Sequence, residues 1–314
     1  MKRREFVKTT IAGSAASGVL LGTAQGKAPL AKREYKDGVM LSVIGFGGMV
    51  VVGQEQAAAN QTVANAVNAG INYFDVAPSY GEGEAEEKLG PALEPHRKNA
   101  FLACKTTERK AAGAQRELEQ SLRRMRTDHF DLYQFHAVSS MDDVEQILGP
   151  GGAAELFTKA KKEGKLRYLG FSAHNAEAAI ALMDRMPLDS VLFPVNYVNY
   201  QQGHFGPQIL AHAKTKGLAR LALKAMALTP WPANTPRDNR PFPNCWYQPA
   251  SDRAAARNGI RFTLSEDVTA AIPPGDHGLF EMAVALAQDF QPMGKAERES
   301  LLASTVGVEP LFKA

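Results

Sequence analysis

Phe74-Asp75-Val76-Ala77-Pro78-Ser79-Tyr80-Gly81 is the stretch on which the reading of this chain turns. A short apolar run ends in a carboxylate, Asp75, and a tyrosine, Tyr80, follows five residues later. Two more runs end in the same way, Phe101-Leu102-Ala103-Cys104 in Lys105 and Leu132-Tyr133-Gln134-Phe135 in His136. A charge at the end of a buried strand needs a partner. In a parallel α/β protein the ends of successive strands converge on one face. Gathered there, Asp75, Tyr80, Lys105 and His136 make a proton-transfer set. A phenol that titrates near ~10 is too weak an acid at neutral pH. An ammonium beside it lowers that value, a carboxylate holds the ammonium, and an imidazole orients a carbonyl group.

Outward from these runs, strand and helix patterns alternate. Helices are predicted near 57–69, 84–93, 112–125, 152–163, 176–185, 206–216, 251–264 and 279–289. Strands are predicted near 72–76, 100–104, 130–135, 166–171, 190–195, 219–224 and 267–272, after a first barrel strand that ends in Gly45-Phe46-Gly47-Gly48. Gly70, Gly164 and Gly217 stand where helices stop. Residues 35–44 read as a short hairpin closing the barrel floor, with Asp37-Gly38 as its turn. The alternation implies a parallel sheet. The tally of eight strands favours closure over an open doubly wound sheet, and the convergent polar set decides for it. The expected fold is therefore α/β, a single-domain (β/α)8 TIM barrel over residues 35–314.

Composition sets limits on partners. The chain has 314 residues, 45% hydrophobic and 22% charged, and its net charge of +3 is too small to point to nucleic acid. Arg123, Arg124 and Arg126 close a predicted helix, where cations suit the dipole. Two cysteines are too few for a disulfide framework, and strand alternation turns Cys104 away from the barrel interior. No Cys/His spacing suggests a metal. Residues 1–31 differ from the rest. Lys2-Arg3-Arg4-Glu5-Phe6-Val7-Lys8 precedes a weakly apolar stretch, Thr9 to Ala24, too mild for a stable membrane span. This segment resembles a twin-arginine export signal, which implies the export machinery as a partner and a periplasmic location. A disordered basic tail on a cytoplasmic protein is the alternative.

The four polar residues, in their order and spacing, resemble the aldo-keto reductases. That family carries Asp and then Tyr-Gly after its second strand, Lys after its third and His after its fourth. The resemblance extends over the chain from about residue 35. It implies a nicotinamide-dependent oxidoreductase acting on a small carbonyl or alcohol, with Tyr80 as general acid or base and Lys105, Asp75 and His136 supporting it. It also places Gly47, Gly48 and Met49 beside the nicotinamide ribose. Ser172 falls at a carboxamide contact, and it also reads as an ordinary turn residue. Ala173 stands where the family has Asn, with Asn175 in the loop as a candidate substitute. Leu192 takes the place of a Gln and Val195 that of a stacking aromatic, while Asn196 is retained; a one-residue slip would bring Phe193 or Tyr197 to the stack.

No Gly-x-Gly-x-x-Gly joins a strand to a helix, which argues against a Rossmann domain. Lys224, ending the seventh strand, suits a pyrophosphate or an exposed rim. Gly275, Asp276 and His277 offer a phosphate site at a helix start. Asp276 either faces the adenosine and selects NAD or caps the helix, in which case the family's tendency toward NADP prevails. The long loop after strand seven, residues 226–250, carries six prolines together with Trp231, Trp246 and Tyr247 and reads as a substrate lid or a packing flap. The last segment, 294–314, is expected across the barrel exterior. Two other functions compete: a lyase forming a Schiff base on Lys105, and a binding or regulatory barrel that keeps cofactor without turnover.

Overall fold

In the computed structural model, which describes residues 28–314, the chain enters through a hairpin of β1 (Lys32–Lys36) and β2 (Val39–Ser42). Asp37 and Gly38, both at positive φ (51° and 77°), make the tight turn that the Asp-Gly pair implies. Eight parallel strands follow: β3 (Phe46–Gly47), β4 (Tyr73–Asp75), β5 (Phe101–Thr106), β6 (Phe130–Val138), β7 (Leu166–Ala173), β8 (Ser190–Pro194), β9 (Ala219–Leu223) and, after an antiparallel pair described below, β12 (Ala270–Ile272). The sheet order is sequential, and Ile44 bridges Ala271 in parallel to join the first strand to the last. Gly45 N–H donates to Ala271 O and Ala271 N–H to Val43 O, both at 2.9 Å, so the barrel is closed.

Period-2 alternation sorts each strand into two cores. On β5, Phe101 and Ala103 point inward while Leu102 and Cys104 join the layer beneath the helices. The inner cluster holds Tyr73, Leu132, Leu192, Leu221 and Ala270, and the hairpin plugs its floor with Tyr35 and Leu41. The Tyr35 ring lies 5.0 Å from Phe101 and 5.2 Å from Tyr168, centroid to centroid. Continuing the inward positions of β4, β5 and β6 upward brings Asp75, Lys105 and Gln134 to the top layer. The register pairs Lys105 with Gln134 and Asp75 with Ala103.

The outer helices are α1 (Gln56–Asn68), α2 (Glu84–Leu93), α3 (Ala111–Arg124), α4 (Met141–Leu148), α5 (Ala153–Lys162), α6 (Ala176–Arg185), α7 (Tyr197–Gln202), α8 (Pro207–Thr215), α9 (Arg253–Ser265), α10 (His277–Gln288) and α11 (Lys295–Ala303). Gly70, Gly164 and Gly217 follow α1, α5 and α8 at positive φ, the left-handed stop their positions imply. Two segments differ from expectation. The connection after β9 folds back as an antiparallel pair, β10 (Ala227–Pro230) with β11 (Tyr247–Pro249), and its tip is braced by Trp231 Nε1 donating to Cys245 O at 2.8 Å. The chain end does not stay on the barrel exterior. Asn199 Oδ1 accepts from Leu311 N–H (3.0 Å) and Phe312 N–H (3.4 Å), and Ala314 N–H donates to Gly203 O, drawing the tail to the strand-end face.

Candidate active site

Asp75, Lys105 and Tyr80 meet at the top of the barrel. The Lys105 ammonium is fully buried and donates to the Asp75 carboxylate, to Val76 O (3.2 Å) and to Tyr80 Oη (3.1 Å). The Asp75 carboxylate also accepts from Gln134 Nε2 (3.0 Å) and Tyr73 Oη (3.3 Å), so strands β4, β5 and β6 all fix its orientation. Tyr80 reaches the lysine from the turn after β4, and its ring stands edge-on to His136 at 5.8 Å. His136 lies where β6 bulges. Ala137 there has a φ of 54°, and its N–H donates to Ser172 Oγ at 2.7 Å, while Arg109 Nη2 donates to His136 O at 2.9 Å. The four residues picked out of the sequence are therefore brought together.

The electrostatics correct one expectation. Burial lifts the Tyr80 hydroxyl above its ordinary pKa of 10.0; Lys105 pulls it down, and Asp75 pushes it up again. The net direction is up, because burial, with the Asp75 charge added to it, outweighs the pull of Lys105. Burial works against the Lys105 ammonium, yet Asp75 and then Tyr80 outweigh it, so its pKa is raised and the amine stays charged. A Schiff-base role for Lys105 needs the opposite. Burial, followed by the charges of Lys105 and others, holds His136 well below 6.5, so its imidazole is neutral, and its Nδ1 is buried without a partner.

From this floor a cleft of about 270 Å³ opens between two walls. One is Gly47, Met49, Ile272, Pro273, Pro274 and Gly275; the other is Asn244, Trp246 and Tyr247 of the β10–β11 excursion, with Leu192, Leu223 and Lys224 between them. The first wall is tightly packed at its glycines. A Cβ on Gly275 would sit 2.3 Å from Met49 Cβ, and one on Gly47 would sit 3.0 Å from Ile272 Cγ2.

Other expected residues lie deeper or elsewhere. Gly48 packs against Val76, and Ser172 supports the His136 bulge. Asn196 caps α7 by accepting from Asn199 N–H (2.8 Å) and donates to Lys224 O (3.3 Å). Asn175 caps α6, accepting from Ala178 N–H at 2.9 Å, and so is committed to that helix. Phe193 and Tyr197 belong to the outer core and do not line the cleft, so the apolar faces offered to a ring are those of Leu192 and Leu223. Asp276 caps α10, accepting from Leu279 N–H at 3.0 Å, whereas His277 turns outward to Glu281 at 3.5 Å. Trp231 serves the structure of the β10–β11 excursion itself, and of the three aromatics expected in a lid only Trp246 and Tyr247 reach the cleft.

Sequence reasoning missed Gln134, Tyr73, His174 and Phe312. Gln134 and Tyr73 share the inward phase of Asp75 and Lys105, which is signal enough to find them. Phe312 stacks on His174 at 4.8 Å and comes within 6.0 Å of Trp246; nothing periodic in Glu309-Pro310-Leu311-Phe312 announces that.

Comparison with known proteins agrees with this architecture. The chain is similar to the aldo-keto reductase YhdN of Bacillus subtilis, with 28% identity over 188 residues, covering 56% of this chain and 54% of that protein. It is similar also to the aldo-keto reductase yakc [NADP(+)] of Schizosaccharomyces pombe, with 28% identity over 184 residues, 53% of this chain and 50% of that one. The chain thus spans about half the length of these curated relatives. Its fold superposes on aldo-keto reductase AKR11C1 from Bacillus halodurans (holo form) with a TM-score of 0.67 at 22% identity, covering 88% of this chain and 96% of that structure. The family model of the aldo/keto reductases matches residues 43–248, the segment that carries Asp75, Tyr80, Lys105 and His136, and the chain belongs to the Aldo/keto reductase family.

Proposed function

We propose that this protein is a nicotinamide-dependent oxidoreductase that interconverts a carbonyl compound and an alcohol. The observation that carries the reading is Lys105 Nζ, held by Asp75 and 3.1 Å from Tyr80 Oη at the floor of an open cleft. Tyr80 is protonated at neutral pH and gives its proton to the carbonyl oxygen in reduction; in oxidation it takes the proton back. Lys105 stabilises the phenolate left behind, and Asp75, tied by Gln134 and Tyr73, keeps the ammonium in place. Neutral His136 donates a ring N–H to the same oxygen and orients it.

The cleft fits a nicotinamide cofactor. A side chain on Gly275 would collide with Met49 and one on Gly47 would press on Ile272, and α10 begins just beyond Gly275, placing the positive end of its dipole at the rim. Gly47, Met49 and Gly275 would hold the cofactor, with Gly48, Ser172 and Asn196 shaping the layer beneath. When bound, the nicotinamide supplies the hydride that no side chain can. NADP is the proposed form. The Asp276 carboxylate is engaged with Leu279 N–H, which weakens the case for a ribose contact selecting NAD, and one relative has NADP(+) in its name.

Export remains part of the reading, and it rests on sequence because residues 1–27 lie outside the described residues. Changing Arg3 and Arg4 together to Lys should leave active protein in the cytoplasm; a wild-type chain found uncut and wholly cytoplasmic would refute export. The activity itself is tested by following nicotinamide absorbance with purified protein and a panel of aldehydes, ketones and alcohols. Turnover with NADPH supports the reading. Bound nicotinamide with no turnover of any kind would favour the cofactor-keeping barrel.

A further inference from the structure

Lys224 is a buried amine with no carboxylate partner among the described residues. It is 8% exposed, and its Nζ lies 5.2 Å from the Trp246 ring centroid and 5.4 Å from that of Phe312. Its backbone is held in the left-handed region, φ 64°, a conformation that costs free energy in a non-glycine residue. Two bonds to its carbonyl hold that turn, from Ala227 N–H (3.0 Å) and Asn196 Nδ2 (3.3 Å). A strained turn, two aromatic flanks and a chain end drawn over from Asn199 all converge on one ammonium that faces the cleft.

We propose that Lys224 receives a carboxylate carried by the carbonyl substrate, so that the site takes oxo acids and the corresponding hydroxy acids. This deepens the oxidoreductase reading and rests on it. The cleft that Lys224 lines has the proton-transfer residues Asp75 and Tyr80 at its floor. The charge of Lys224 reaches His136 and His174, as that of Lys105 reaches Lys224. A buried ammonium between apolar rings lacks a counter-charge, and a ligand carboxylate supplies one. Trp246 and Phe312 then form the sides of the slot. Burial first and Lys105 second lower the Lys224 pKa to about 7, so the empty site is only partly charged at neutral pH and takes up a proton as the anion binds. Of the other facing groups, Lys105 is held charged, while His136 and His174, the latter lowered to about 3, stay neutral.

The test compares 3-carboxybenzaldehyde with its methyl ester, methyl 3-formylbenzoate, in the wild type, Lys224→Met and Lys224→Arg, with NADPH affinity followed separately by tryptophan fluorescence. The wild type should prefer the acid in kcat/KM by about tenfold or more, the usual reach of a charged hydrogen bond. Lys224→Met should abolish that preference while moving the NADPH Kd less than about threefold, and Lys224→Arg should restore part of it. A Lys224→Met variant that keeps the preference overturns the proposal, and one that keeps it while losing NADPH affinity tenfold assigns the amine to the cofactor pyrophosphate. A wild type that reduces both compounds equally overturns it as well. A wild type inert toward both with either nicotinamide would instead overturn the oxidoreductase reading.

Discussion

Two lysines are buried at the mouth of this barrel, and their surroundings set them apart. Lys105 ends an inner strand, touches a carboxylate and stays charged; Lys224 ends another strand, touches two aromatic rings, and its pKa falls to about 7. Burial pushes both in the same direction, so the partner decides the sign. The region around Lys105 is built from regular strands in fixed register. The region around Lys224 is built from a strained turn, the β10–β11 excursion and a chain end. One suits chemistry common to many substrates, and the other suits selection among them.

The comparison breaks most visibly on the Lys105 side. Lys105→Met removes the support of the phenolate, and turnover should fall by ~100-fold or more, the lower reach of general acid catalysis. Steady-state rates of the folded variant check this. Asp75→Asn makes Lys105 resemble Lys224 by leaving its ammonium without a counter-charge. Breaking a buried pair from one side should cost about 3–5 kcal/mol in urea unfolding. A loss below about 1 kcal/mol would show that Asp75 does not balance that charge.

On the Lys224 side the effect is graded and depends on pH. An amine with a pKa of about 7 is ammonium below that pH and neutral above it, so affinity for an acid substrate should be retained below pH 7. It should fall toward tenfold per pH unit above it, and the ester's KM should not follow. The smallest change is expected at Asp276, away from both lysines. Asp276→Ser keeps a capping oxygen and should alter NADPH and NADH affinities equally and slightly, by separate titrations. Selective tightening of NADPH would place the carboxylate against the adenosine.

How much of this is legible in the sequence follows the same division. Asp75, Lys105 and His136 can be found because an apolar strand ending in a charge is a local signal, and Asp37-Gly38 specifies its own turn. Helix α4 escapes the periodicity reading although Ser140 and Asp143 form a reciprocal capping box that announces its start. The β10–β11 pairing joins segments separated by a proline-rich loop, so no short window contains it. Phe312 is placed by a side chain more than a hundred residues away, Asn199 Oδ1, and a long-range contact of that kind leaves no local pattern. The direction of the Tyr80 shift depends on burial and on the opposing charges of Lys105 and Asp75, both properties of the folded chain.

The most direct test of the central claim is single-turnover hydride transfer in Tyr80→Phe, followed by NADPH absorbance with a carbonyl compound that the wild type reduces. The ring still packs and the cofactor still binds, but the proton donor is gone. A rate lower by at least ~100-fold, with NADPH affinity nearly unchanged, is the predicted result. Hydride transfer at the wild-type rate would contradict the assignment of Tyr80 as the proton donor, and with it the supporting roles of Lys105 and Asp75.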